Sequence, residues 1–300
     1  MIEQLAILLG RAALNFRGKE RLLRCLYPAT EHSGRFVRGV RSRADGLQFD
    51  ADSRQVIDWS MLFLGEYEPH MRRLFQALVE PQGVVLDIGA NVGAHTLTLA
   101  NLVGPGGKVL AVEPNPAINN KLARNVGLNR FSNVAIHQLA LGEAEGVLQL
   151  RVPAAGTAEF SNPGMASLVA LDSPHDLVDV GVRRCDDVVR DERLGRVDVV
   201  KIDVQGFEMQ VLRGMAKTIG DFHPVILFEF EDWAWEKAGS KLVEAVDFFA
   251  TRSYGLWEIE AGSDFVLRAF RGGVARPHVE LLAIHRDDCR VALLRDWMVV

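Results

Sequence analysis

Cysteine is scarce: Cys25, Cys185 and Cys289 are three in number and far apart. An odd, scattered set suggests neither a disulfide framework nor a Cys-x-x-Cys metal knuckle, and the expectation is three buried small hydrophobes in a reducing, cytoplasmic compartment. Long apolar runs are absent as well. A spanning helix needs about 20 apolar residues, whereas the run Leu5 to Leu9 is followed within a turn or so by Arg11 and Arg17. A signal peptide carries its positive charge before the apolar stretch, so this segment reads as an amphipathic helix packed on the body or on another chain. Excess positive charge is missing too: a formal net charge of −5 gives no electrostatic reason to expect nucleic acid, and a small molecule is the better expectation for a partner. No internal repeat or low-complexity tract stands out.

What is present divides the chain in two. Up to about Gln82, helical and extended patterns mix: Leu5 to Leu26 reads as helix, Phe36 to Val40 and Leu47 to Phe49 as strands around the Ala44-Asp45-Gly46 turn, and Tyr67 to Val79 as helix. Residues 1–80 therefore read as an N-terminal helical and β cap, and 81–300 as the main domain. From Val84 onward, short apolar runs alternate with helix-length stretches: Val84 to Ile88, Val109 to Glu113, Val134 to Leu139, Val197 to Asp203 and Val225 to Phe230. Strands buried on both faces read this way, so the fold class is α/β with a doubly wound, mostly parallel sheet. The stretch 146–183 interrupts the rhythm as an insertion, its loop from Gly156 to Pro174 flanked by possible strands Leu148 to Val152 and Val178 to Arg183. Near the end, Tyr254 to Ile259 and Leu281 to His285 read as a closing antiparallel pair.

The most informative stretch is Val84 to Gly93, a strand and a tight glycine turn, followed by a helix from Ala94. Gly89 and Gly93 permit a ligand to approach the backbone, the following helix turns free N–H groups toward it, and ligands of such sheets sit outside the carboxyl ends of the strands. A dinucleotide fingerprint, G-x-G-x-x-G, needs a second glycine where Asn91 stands, and Asp87 would repel pyrophosphate while suiting an ammonium group. Glu113, followed by Pro114, ends the next strand and can accept hydrogen bonds from a ribose diol. One carboxylate for an amino acid and another for a ribose describe S-adenosylmethionine. Close helix–strand packing is the plain structural role of the same glycines.

These residues, together with Lys201-Ile202-Asp203-Val204-Gln205-Gly206-Phe207-Glu208, resemble the FkbM family of methyltransferases over about Gly65 to His285. The resemblance implies a seven-stranded, Rossmann-like class I methyltransferase sheet. It places Tyr67 and Glu68 in a segment ahead of the core and Ala140 in an adenine-side turn after the third strand, and it aligns Cys185-Asp186-Asp187 with a Leu-Asp-Asp segment. Two positions depart from the family pattern: Gln205 stands where Glu is usual in K-I-D-V-E-G, and Cys185 where Leu is. The first removes a carboxylate that could serve as base or metal ligand. Members of the family methylate hydroxyls of polyketides or of sugars in glycans and glycolipids, which implies O-methylation here.

Since a sulfonium is already an activated leaving group, such an enzyme must align an oxygen with the methyl and take its proton. Asp203 and Glu229, at the ends of the fourth and fifth strands, are the leading pair. Either Asp203 is the base, or the two hold a divalent cation such as magnesium. Lys201, on the same strand face as Asp203, either orients it or only neutralises it. Tyr67 and Glu68 either fold over the cofactor or start a helix. His95 could approach the acceptor, Trp233, Trp235 and Trp257 could line a sugar pocket, and Glu208 could support a helix start. The rival readings are a nicotinamide-linked oxidoreductase or epimerase and a non-enzymatic cofactor-binding protein.

Overall fold

The single helix expected from Leu5 to Leu26 is two in the computed structural model, α1 (Ile2–Arg11) and α2 (Lys19–Leu26), and Gly18, at φ 90°, sits in the left-handed region at the start of the second. The structure describes residues 2–12, 18–28, 37–154, 166–169, 174–261, 265–272 and 276–299. Strands β1 (Val37–Arg41) and β2 (Gln48–Asp52) pair antiparallel. Helix α3 (Val56–Trp59) runs into a π-helical turn, Ser60–Leu64, which Gly65 ends at φ 85°. Gly10 of α1 lies so close to this turn that a Cβ would come within 1.9 Å of the Phe63 carbonyl oxygen. Helix α4 (Pro69–Leu78) follows, its proline placed in the first turn where a missing N–H costs nothing.

The main sheet begins with β3 (Val84–Ile88), α5 (Ala94–Val103), β4 (Lys108–Val112), α6 (Pro116–Leu128) and β5 (Val134–His137). Strands β6 (Ala140–Leu141), β7 (Gly146–Pro153) and β8 (His175–Arg183) leave it to form a small separate sheet in the order β6-β8-β7. The loop expected between β7 and β8 lies largely outside the described residues. After α7 (Cys185–Asp191) come β9 (Val199–Ile202), α8 (Glu208–Gly214), α9 (Ala216–Phe222), β10 (Val225–Glu231), α10 (Asp232–Lys237) and α11 (Leu242–Ala250). The tail supplies β11 (Tyr254–Glu260), β12 (Val266–Ala269), β13 (His278–His285) and β14 (Met298–Val299).

These strands build one sheet in the order β14-β12-β11-β13-β10-β9-β3-β4-β5, in which β10, β9, β3, β4 and β5 run parallel and β13 is antiparallel between β10 and β11. The seven expected strands run from β11 to β5, and β12 with β14 extends the sheet beyond them. Both faces are covered, as the apolar runs require: Leu86, Leu110, Val200 and Ile226 pack on one core with Trp235 and Phe249, and Val85, Val109, Val199 and Leu227 on another with Leu74 and Phe75. Chain order reverses between β3 and β9, opening a crevice at the carboxyl ends of those strands.

Polar stitching ties the first 80 residues to α6. The Asn125 and Asn129 side chains each accept a hydrogen bond from the backbone of β2, and Lys121 pairs with the buried Asp58. Cys185 is buried as expected, but Cys25 and Cys289 are exposed, since neither faces a core. Among the described residues, no helix is long and apolar enough to cross a membrane.

Candidate active site

A cavity of about 260 Å³ opens at the crevice. Gly89 is fixed in place by contact: at φ 78°, a Cβ there would lie 1.8 Å from the carbonyl oxygen of Asp203. The β3 turn and the end of β9 therefore touch backbone to backbone. Asn91 takes the left-handed conformation, φ 50°, that asparagine tolerates better than most residues, and it donates its N–H to Glu113 at 3.0 Å. The Asn115 N–H reaches the other Glu113 oxygen at 2.8 Å. Burial pushes the Glu113 carboxyl up to about 7, against the downward pull of these N–H groups. Each carboxylate oxygen keeps a further lone pair, enough for a diol.

Across the cavity stand the acids of β9 and β10. The Gln205 side-chain amide, with Gln205 at φ 54°, donates at 3.0 Å both to Asp203 Oδ1 and to Glu229 Oε2. Lys201 Nζ lies 3.3 Å from Asp203, 3.7 Å from Asp87 and 3.1 Å from the Gly89 carbonyl oxygen. Burial alone would depress this ammonium, but Asp203, Asp87 and Glu68 more than offset it and hold its pKa above the ordinary lysine value. Glu229 moves the other way: burial first, then Asp203 and neighbouring glutamates, push its carboxyl far above the usual range. His278 Nδ1 approaches its other oxygen at 3.3 Å.

Glu68 sits at φ 41°, just before α4, and closes the cavity from the first 80 residues. Burial would raise its carboxyl, yet hydrogen bonds from His95 and Tyr67 and the charge of Lys201 bring it down to about 2. His95 Nε2 holds it at 2.8 Å.

The methyltransferase FkbM domain matches residues 87–256, more than half of the chain. The chain belongs to the FkbM methyltransferase family. It is 30% identical to Methyltransferase 1 of Beauveria bassiana over 179 residues, covering 55% of this chain and 71% of that protein. To the hexuronic acid methyltransferase AglP of Haloferax volcanii it is 25% identical over 163 residues, 53% of this chain and 61% of that one. To the 31-O-demethyl-FK506 methyltransferase FkbM of Streptomyces tacrolimicus it is 27% identical over 160 residues, 46% and 61% of the two. This FkbM-family protein is thus an S-adenosylmethionine-dependent methyltransferase, and the nicotinamide-linked and non-enzymatic readings fall away.

In this methyltransferase the expected residues divide by position. Tyr67, Glu68, Gly89, Asn91, Glu113 and Pro114 line the cavity on one side. Ala140 lines it at the turn after β5, and Lys201, Asp203 and Glu229 line the other side. Asp87 and Gly93 do not line it. Asp87 is wholly buried beneath the turn, accepting the Thr96 hydroxyl at 2.6 Å, with Lys201 Nζ 3.7 Å from its other oxygen. Gly93 serves packing instead: a Cβ there would meet Leu122 at 2.7 Å. His95 lines the cavity beside Glu68 and holds that carboxylate at 2.8 Å. None of the three tryptophans lines the cavity, and Trp235 packs on Phe228 and Phe230 in the core. Glu208 accepts the Val204 and Gly206 N–H groups ahead of α8. Sequence reasoning missed the Gln205 bridge, His278, Leu150 of β7 and Leu168 between β7 and β8, which also line the cavity. Ser167 fastens the small sheet to the site by donating its hydroxyl to the Gln205 carbonyl at 2.6 Å.

Proposed function

We propose that this enzyme methylates a hydroxyl group of a sugar, in a glycan or glycolipid, or of a polyketide-type product, with Asp203 as the base. The observation that carries the reading is the Asp203–Gln205–Glu229 cluster at the sheet crevice, opposite Glu113. The names of AglP and of the FK506 methyltransferase, one a hexuronic acid and one an O-demethyl substrate, point the same way.

When bound, the sulfonium supplies an activated methyl group. The chain's own residues do the rest. Glu113 and the Asn91 turn would hold the ribose, with Pro114 and Ala140 toward the base, while Tyr67 and Glu68 would take the amino acid end and Asp87 would add its charge from one layer back. The acceptor oxygen would be oriented toward that methyl group, and Asp203 would take the proton the hydroxyl gives up. Lys201 positions that carboxylate. Glu229, its carboxyl pushed upward by burial and by Asp203, would offer the acceptor a neutral hydrogen-bonding group. We read the pair as base and partner and not as a cation site, because the Gln205 N–H donors and the Lys201 ammonium occupy the positions a cation would need. No group of three or more possible ligands gathers among the described residues. In this reading Tyr67 and Glu68, from the first 80 residues, and Leu150 and Leu168, from the insertion, wall the cavity of the 81–300 domain.

The test is methyl transfer from labelled cofactor to glycan, glycolipid and polyketide pools. Asp203→Asn should lower kcat by about 10²–10⁴-fold, with S-adenosylhomocysteine affinity little changed. Undiminished turnover in that variant removes Asp203 as base.

A further inference from the structure

The first 43 residues hold nine Lys and Arg against three Glu and no Asp, an excess of six positive charges in a chain whose overall formal charge is −5. The structure keeps much of this charge uncompensated. Among the described residues there, Arg24 has a carboxylate partner, Glu20 at 2.8 Å, while Arg21, Arg38, Arg41 and Arg43 have none. Arg11 and Lys19 feel the crowding: each titrates below its ordinary value, through burial first and then through the charge of Arg43.

The same elements turn apolar side chains outward. In α1, Ala6 and Gly10 face inward and Leu8 is 70% exposed; in α2, Leu23 faces inward while Leu22 and Leu26, four residues apart on one stripe, are each nearly half exposed. Among the described residues, five of the twelve exposed large hydrophobics lie between Leu8 and Val37, so this is a local concentration and not the ordinary scatter of surface leucines. Helices that show leucine and arginine together to solvent match the interface of a bilayer, where acyl chains take the leucines and headgroup phosphates the arginines.

We propose that α1, α2 and β1 form a face that lays this enzyme on an anionic lipid bilayer. A second copy of the chain is disfavoured, because a two-fold contact would set the positive excess against itself. A nucleic acid would take up the charge but leave the leucines in water. The face also adjoins the site: α1 packs through Gly10 on the π-helical turn, and the chain leaving that turn supplies Tyr67 and Glu68 to the cavity wall. The inference does not depend on which hydroxyl is methylated.

Co-sedimentation of the full chain with vesicles tests it. Binding should occur to vesicles of phosphatidylcholine with phosphatidylglycerol and not to phosphatidylcholine alone, and should weaken steeply with added salt. Arg21→Glu, Arg38→Glu and Arg41→Glu together should weaken it by roughly fivefold or more per charge removed. Leu8→Ser, Leu22→Ser and Leu26→Ser should also weaken it, at low salt, with melting temperature and S-adenosylhomocysteine binding unchanged. Failure to sediment with anionic vesicles overturns the proposal. So does a solution dimer that the leucine variants split, or binding to duplex DNA that the leucine variants leave intact while vesicle binding is absent.

Discussion

Gln205 stands where the resembled family has glutamate, and its geometry gives that difference a physical meaning. A neutral amide with two N–H donors can satisfy two acidic side chains at once, each at 3.0 Å, whereas a third carboxylate would repel both. Gln205→Glu is expected to destabilise the site by on the order of 1–3 kcal/mol through loss of both bonds. It should also make methyl transfer sensitive to chelator and restorable by magnesium, which an assay with and without EDTA checks. A second consequence concerns Glu113, whose carboxyl burial pushes to about 7. A ribose diol donates hydrogen bonds and so prefers the ionised form; binding should expel a proton, and affinity should rise with pH up to about 7 and level off above it. Calorimetry across pH measures this, and Glu113→Gln should flatten the profile. Glu113 itself was legible from its place at a strand end. That Glu68, and not Asp87, faces the cavity was not, because sequence reveals a residue's type and strand position but not what is packed above it.

Whole elements were more legible than the contacts between them. The parallel strands announced themselves as apolar runs because both faces of the sheet are buried, and β3 is intermediate or buried throughout. The split between α1 and α2 was missed since helical periodicity continues across Gly18. The link between α3 and α6 was also invisible: Asp58, 1% exposed, receives the Asp52 N–H at 2.9 Å and the Lys121 ammonium from a helix 63 residues away. Lys121→Met should leave that buried carboxylate without its cation and cost about 3–5 kcal/mol. Chemical denaturation of the variant reads this directly, and a loss under about 1 kcal/mol would mean that Asp58 finds another partner or water.

At the scale of the molecule, the site is where the sheet reverses its order, with one wall from residues near Tyr67, a second from the small sheet and a floor from β9 and β10. Because all of these line the cavity, a ligand held there should stabilise the fold as a whole. S-adenosylhomocysteine at 100 times its Kd should add about 2.7 kcal/mol. Thermal melting should rise by several degrees with it and stay fixed with NAD.

The sequence by itself determined the alternating α/β order, the glycine turn with its strand-end acid, and the family, because each is written in short-range pattern and residue type. Only the tertiary structure decided which acids lie together, which carboxylate meets the cavity, and that Gln205 joins Asp203 to Glu229. Those depend on distances between residues on different strands, and on how deeply each charge is withdrawn from water, neither of which a linear order of residues encodes.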